Sequence, residues 1–391
     1  MRTAISRTNF RGGYALIIDG SPILFGGVGT RIPGSLPNSD GSKTIDQASV
    51  FELASISKPF TVIAILQLVE KGKLSLDSTI ETFFADELAT YAGPKDAPAF
   101  GITVRQLLSH QTGLDNDTGI SKYDETSRTA MVHKFFASTK IAEPGTRFDY
   151  NNAAYCLLAA IIEVSGGQPF EAYMREHVFT PAGMARTGFP PGKDLDQSQR
   201  VRRKGNFAFH DHPWGWGYRG CGGILTTPGD LVAFDSALNA NVLISADSAA
   251  LTYAPGKPIG SRQPNATYSL GWFVEIKQGM LRASHSGGSF GCKANMVRYP
   301  NQHVTIVALS DETADPFAIT DAAERALLNE LRALPAMLAK PALPDLLEMP
   351  AAPSAVPSAA PSADPSATPS ATPSVDPTAA QPAAPKDNAA P

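Results

Sequence analysis

Hydrophobic and polar positions divide the chain into stretches of different period. In GYALIIDGSPILFGG two apolar runs flank the turn residues Asp19-Gly20-Ser21-Pro22, which predicts a β-hairpin. A polar loop rich in Gly, Pro, Ser and Asn follows, from about Arg31 to Gln47. FELASISKPFTVIAILQLVEKGKLSL then changes the period. Phe60, Ile63, Leu66 and Val69 recur at helical spacing with Ile65 and Leu68 beside them, so a mostly buried helix is expected, ended by Gly72 at C′.

Between about Thr79 and Pro190 the pattern is mainly helical. ITVRQLLSHQTGL predicts a short helix stopped near Gly113, NAAYCLLAAIIEVSGG a strong one with a Gly-Gly stop, and FEAYMREHVF a third. From about Trp214 the texture turns β-prone: GYRGCGGILTT, YSLGWFVEI, MLRASHSGG, ANMVRYP and HVTIVALSD read as an antiparallel meander. PFAITDAAERALLNELRAL closes this region as an amphipathic helix. Strands at both ends with helices between them imply one α/β (α+β) unit over residues 1–340. Its antiparallel sheet comes from about 13–30 and 214–335, flanked by helices, and a helical lobe spans about 75–190. Residues 341–391 are a Pro/Ala/Ser-rich tail with Pro at every fourth position from Pro353 to Pro377. Such a segment buries too little apolar surface to offset its ordering entropy, so it reads as a disordered, extended tail able to contact the cell envelope or other proteins.

Composition narrows the function classes. With 33 basic and 37 acidic residues and a net charge of −4, the chain lacks the strongly basic balance of a nucleic-acid binder. The cluster VRRKG, Val201 to Gly205, reads as solvated surface. Cys156, Cys221 and Cys292 form no CxxC pair, which supports neither a disulfide framework nor a zinc site. The longest apolar stretch, Ala153 to Ile162, is too short to span a bilayer, and the N-terminus carries no apolar run typical of a signal peptide, so a soluble chain is expected.

The chemistry begins with Ser55 and Lys58 in ELASISKPF. Residues three apart at the start of a helix share a face, so the Lys58 amine falls beside the Ser55 hydroxyl. An amine in a desolvated pocket gives up its proton more readily, and a helix N-terminus favours a developing oxyanion. The plain alternative makes Ser55 an N-cap and Lys58 a solvated side chain. Two further stretches count against that alternative: Tyr150-Asn151-Asn152 immediately before a helix, and His285-Ser286-Gly287-Gly288 at the end of a β-prone run.

In this order, Ser55-x-x-Lys58, Tyr150-x-Asn152 and His285-Ser286-Gly287 resemble the serine β-lactamase and penicillin-binding-protein superfamily, nearest its class C and esterase branch. The likeness covers most of residues 13 to 333. It implies the β-lactamase/transpeptidase-like fold and a serine hydrolase acting through an acyl-enzyme, with no metal and no organic cofactor. Ser55 would be the nucleophile, Lys58 and Tyr150 would share the base function, and Asn152, His285 and Ser286 would bind or orient substrate. The backbone N–H groups of Ser55 and Gly288 would form the oxyanion hole. The partner is then a small ester, amide or peptide. A small carboxylester is expected first; D-amino-acid peptides or amides and β-lactams are alternatives, as is a catalytically silent ligand-binding or scaffold protein.

Departures from the family pattern shape these expectations. Penicillin-processing members carry Lys-Thr-Gly where this chain has His285-Ser286-Gly287, and a histidine is mostly neutral at pH 7. The chain starts almost at the first strand, without the helix or export signal that usually precede it. An earlier natural start is therefore expected, and a periplasmic or envelope location rests on resemblance only. Gly287-Gly288-Ser289-Phe290-Gly291 also fits G-x-S-x-G, but a strand rather than a helix follows, so Ser289 reads as a turn residue. His110 in LLSHQTGL reads as a buried hydrogen-bonding residue. HDHPWGWGY leaves two readings open, a loop anchored in the core or an aromatic wall of the acyl pocket; His210 and His212 lack further metal ligands at suitable spacing.

Overall fold

The computed structural model describes residues 1, 5–6, 10–30, 44–94, 97, 99–116, 127–190, 201, 215–260, 265–289, 292–310 and 314–333. The Pro-rich tail, most of VRRKG, and His210, His212 and Trp214 lie outside them. Strands β1 (Gly12–Ile18) and β2 (Ser21–Val28) form the expected hairpin. Its turn is tighter than the sequence pattern implied. Asp19 and Gly20 both take positive φ (50° and 73°), the two-residue geometry that matches strand twist, and Ser21-Pro22 already belong to β2.

The hairpin joins an eight-stranded antiparallel sheet of order β2-β1-β10-β9-β8-β7-β6-β5. The remaining strands are β5 (Lys257–Pro258), β6 (Ala266–Tyr268), β7 (Phe273–Lys277), β8 (Met280–Ser289), β9 (Cys292–Tyr299) and β10 (Val304–Ser310). First and last strands meet directly, Gly12 opposite Ser310 through Ile18 opposite Val304. β10 is buried along its whole length because both its faces are covered. Val307 and Leu309 face the main core, while Val304, Ile306 and Ala308 face the closing helix. The meander starts later than expected. Of GYRGCGGILTT only Leu225–Thr226 is a strand (β4), and it pairs with β3 (Phe51–Glu52) in a separate two-stranded ribbon.

Helix α1 (Ser57–Glu70) is buried all round from Ser57 to Leu68 and runs through the core. It ends at Lys71, with Gly72 at φ 64° as the expected C′ residue. The lobe beside it contains α2 (Ala85–Ala89), α3 (Val104–Leu108), α4 (Arg128–Phe136), α5 (Asn152–Gly166) and α6 (Phe170–Met174), the last continued by a π-helical turn. α3 stops well before Gly113, because Ser109 caps it and His110 turns left-handed at φ 54°. α5 ends as expected at its glycines, with Gly167 at φ 70°. Helices α7 (Pro228–Asn239) and α8 (Ala246–Leu251) precede the meander, and α9 (Pro316–Ala333) packs on β9 and β10 as the closing helix.

One buried ion pair ties α7 to the sheet. Arg298 on β9 and Asp235 on α7 approach to 2.9 Å and are 2% and 0% exposed. The guanidinium also donates to Tyr253, Asn239 and Thr305. A charge so enclosed is tolerated only with its donors satisfied. Asp235→Ala, which leaves the arginine uncompensated, should lower unfolding stability by about 3–5 kcal/mol; urea denaturation of the two proteins measures this.

Candidate active site

Ser55 lies in a 3₁₀ turn, Ala54–Ile56, wedged between β3 and α1. It is the one residue from Phe51 to Leu68 that is not buried. The residue before it, Ala54, adopts φ 45°. For a side chain other than glycine this is a strained conformation, costing roughly 1–3 kcal/mol, of the kind that gathers at functional sites. Strand β8 passes directly behind the turn. A Cβ on Gly287 would lie 2.1 Å from the Leu53 carbonyl oxygen, so only glycine lets the two backbones come this close.

Lys58 is fully buried, yet each of its three N–H positions has an acceptor. Nζ lies 3.1 Å from Ser55 Oγ, 2.9 Å from Asn152 Oδ1 and 2.9 Å from the Cys221 carbonyl oxygen. It also sits 4.8 Å from the centre of the Tyr150 ring and 5.4 Å from that of Tyr155. Ser55 does not cap α1, since Ile56 is the N-cap and makes no side-chain cap bond. The alternative reading of Lys58 as solvated is likewise excluded by its burial. Asn152 does not cap α5 either. Asn151 performs that task, accepting from the Ala154 N–H at 3.1 Å, and thereby leaves the Asn152 amide for Lys58.

The Cys221 carbonyl is presented by a segment clamped to α1. Thr61 Oγ1 donates to the Gly220 carbonyl at 2.7 Å, and Ser57 Oγ accepts from the Ile224 N–H at 3.3 Å. Sequence reading missed this segment as part of the site, because a backbone carbonyl carries no residue signature. Trp216 and Tyr218 nearby are buried, so the described half of HDHPWGWGY is anchored in the core.

Around Tyr150 the rings of His110, Phe148, Tyr155, Tyr268, Phe273 and His285 form a continuous cluster, with neighbouring centroids 4.2 to 6.3 Å apart. His110 is wholly buried and clamps the segment that carries Tyr150. Its Nδ1 accepts from the Asn151 N–H at 3.1 Å and its carbonyl from the Asp149 N–H at 2.8 Å. Burial, and then Lys58, push its pKa well below the usual histidine range. His285 is buried too. Its Nδ1–H donates to the Ser286 carbonyl at 2.7 Å, while Nε2 accepts from the Tyr268 hydroxyl at 3.1 Å. Burial first, then the Lys58 charge, hold this imidazole neutral with a pKa lowered to about 3.

The structure therefore brings Ser55, Lys58, Asn152 and the Tyr150 ring together, with Gly287 against the Ser55 turn. The His285 ring joins this group only at its edge, 6.3 Å from that of Tyr150. It is buried, with its Nε2 taken by the Tyr268 hydroxyl. Ser286, one residue along β8, faces the opposite side of the sheet. There it lines a cleft of about 840 Å³ with Ser284, Arg282, Asn295, Phe273 and Phe317. Gly288 is exposed and has open space around it. Ser289 donates to Glu52 Oε1 at 2.8 Å and stands on a strand. Among the described residues no three His, Cys, Asp or Glu side chains converge as metal ligands.

A family model described as Beta-lactamase matches residues 2–330. Penicillin-binding protein 4* of Bacillus subtilis (strain 168) is 28% identical over 309 residues, which cover 72% of this chain and 66% of that protein. Penicillin-binding protein 4 of Amycolatopsis lactamdurans is 26% identical over 318 residues, 76% of this chain and 81% of its own. The match reaches only 53% of the length of another penicillin-binding-protein relative from B. subtilis. Among solved structures, a penicillin binding protein from Bacillus halodurans superposes with TM-score 0.66 at 22% identity, over 83% of this chain and 98% of the other. D-amino acid amidase from Ochrobactrum anthropi SV3, in complex with L-phenylalanine, gives 0.65 at 20% identity, over 85% and 96%. At such identities the structural likeness speaks for the fold. With three motifs in family order, a matching sheet-and-lobe architecture and a family model spanning nearly the whole described unit, this chain belongs to the β-lactamase family.

Proposed function

We propose that the protein is a serine hydrolase that forms an acyl-enzyme at Ser55 and acts on small carboxylesters whose acyl part bears no carboxylate. The observation that carries this reading is the amine of Lys58 held 3.1 Å from the one accessible side chain in a buried run. Asn152 and the Cys221 carbonyl take two of its N–H bonds, so the third tetrahedral position points at Ser55. In the neutral amine that position is a lone pair, and the serine proton has somewhere to go.

Ser55 Oγ attacks the ester carbonyl carbon as its proton passes to Lys58, with Tyr150 beside the amine as its partner in proton transfer. The oxyanion is met by the backbone N–H groups of Ser55 and Gly288, at the N-terminal end of α1. Collapse breaks the bond to the alcohol, which leaves with the proton. Water, deprotonated by the same groups, then releases the acid. Esters are favoured over β-lactams because the third-motif side chain is a neutral, enclosed imidazole and offers no cation to a substrate carboxylate. Amides of D-amino acids are the competing substrates, since an amidase of that kind shares the fold.

A fluorophosphonate probe with mass mapping should label Ser55. Ser55→Ala should abolish labelling, and Lys58→Met should slow it by about 10²–10⁴-fold, the usual loss for a missing base. Ser289→Ala should leave the label on Ser55. A label on Ser289, or none on folded protein, would overturn the assignment; the second outcome would favour a silent scaffold.

In a substrate series, kcat/KM for p-nitrophenyl butyrate should exceed that for a chromogenic cephalosporin and for D-phenylalanine amide by at least about tenfold, or 1.4 kcal/mol of barrier. The reverse order reassigns the substrate.

His285 also makes a pH prediction. The unfolded imidazole takes a proton near pH 6.5, whereas the folded one resists until about pH 3. Stability contributed by its neutral burial is thus fully present above pH 6.5 and declines as the pH falls from there towards 3. Melting curves of His285→Gln across that window should fall less steeply, by about one proton of linkage.

A further inference from the structure

Glu52 lies three residues before Ser55, in a run that is otherwise apolar or small: Val50, Phe51, Leu53 and Ala54. Its side chain is 4% exposed. An acidic group so enclosed is costly unless it is hydrogen-bonded, and an apolar residue would pack this strand more cheaply. Its carboxyl oxygen Oε1 accepts from two hydroxyls, that of Tyr218 and, at 2.8 Å, that of Ser289. Burial, and then Glu52 itself, push the Tyr218 phenol well above its usual range, so it remains a donor.

These two hydroxyls stand on the two segments that complete the site. Ser289 ends β8, next to Gly288. Tyr218 opens the turn that presents the Cys221 carbonyl to Lys58, and its own carbonyl accepts the Gly222 N–H at 3.0 Å. The backbone of Glu52 pairs with Leu225, and the next residue, Leu53, donates its N–H to the Ile224 carbonyl at 2.9 Å. One carboxyl oxygen therefore joins the strand leading into Ser55, the strand carrying the Gly288 amide, and the turn holding the amine.

We propose that Glu52 is a positioning residue for acyl transfer: through Ser289 and Tyr218 it fixes the Gly288 amide and the Cys221 carbonyl relative to Ser55. The inference rests on the hydrolase reading given above. It also gives Ser289, the serine of the G-x-S-x-G match, a supporting rather than a nucleophilic task.

The test uses the full chain and measures the rate of fluorophosphonate acylation together with kcat and KM for p-nitrophenyl butyrate. Glu52→Leu should slow acylation by about 10²-fold with KM within about threefold, as expected when a reacting group is displaced while substrate binding stays intact. Glu52→Gln keeps an acceptor oxygen and should stay within about fivefold of the parent. Ser289→Ala and Tyr218→Phe should each cost about tenfold and add nothing in the Glu52→Leu background. Parental rates in Glu52→Leu, or losses that multiply, overturn the proposal. If Glu52→Leu does not fold, the two hydroxyl variants decide: parental rates in both sink it, and tenfold losses with unchanged KM support it. Labelling of Ser55→Ala would instead sink the hydrolase reading; Ser55 labelled at unchanged rates in every variant sinks only the role of Glu52.

Discussion

A buried amine needs hydrogen-bond partners on all sides, and the organisation of this site follows from meeting that need for Lys58. Burying such a polar group is costly unless it is hydrogen-bonded. Here the acceptors come from three places far apart in sequence: the turn before α1, the first residue of α5 and the loop after Gly220. The helical lobe is thereby held to the core helix at the point where Ser55 emerges. The capping duty of Asn151, the clamp of Thr61 on Gly220 and the bond between Ser57 and Ile224 all serve the same convergence.

The second constraint is distance. β8 must pass against the Leu53–Ala54 backbone, and it can do so only because position 287 has no side chain. At that approach Ala54 has a strained left-handed backbone, and Ser55 is partly exposed while its neighbours stay buried. Strand periodicity then partitions the third motif: His285 and Gly287 face inward, Ser286 outward, and Gly288 sits exposed at the next position. A motif that reads as one unit along the chain is thus divided between the two faces of a sheet.

Electrostatics near the amine follow from burial. His110 and His285 both lie close enough to Lys58 for its charge to add to desolvation, and both are driven towards the neutral form. Their hydrogen bonds are made inside the protein, with Asn151, Tyr268 and Ser286. The Lys58 amine sits at the centre of the cluster, against the rings of Tyr150 and Tyr155. Glu52, on the strand leading into the Ser55 turn, accepts from the hydroxyls of Tyr218 and Ser289.

Much of this was legible along the chain, because local periodicity and turn chemistry are properties of neighbours. The hairpin at Asp19-Gly20, the buried helix ending at Gly72, the helix stopped by Gly166-Gly167, the strands from Ala266 to Ser310 and the spacing of Ser55 from Lys58 all belong to that class. So does the rejection of Ser289 as an elbow, since the residues after it are strand-forming. Misreadings arose where tertiary contacts override local preference. GYRGCGGILTT looks β-prone yet mostly forms turns, because its carbonyls are engaged by Lys58 and Thr61. α3 stops at Leu108, and just beyond its cap the left-handed His110 clamps residues 149–151. By itself the sequence determined the elements, the sheet-and-lobe architecture and the pairing of Ser55 with Lys58. Only the folded chain decided which asparagine reaches Lys58, which carbonyl completes its coordination, that His285 is enclosed and that Glu52 joins three segments. The reason is physical: backbone carbonyls have no residue identity, and contacts between segments distant in the chain depend on how the whole fold closes, not on what precedes or follows each residue.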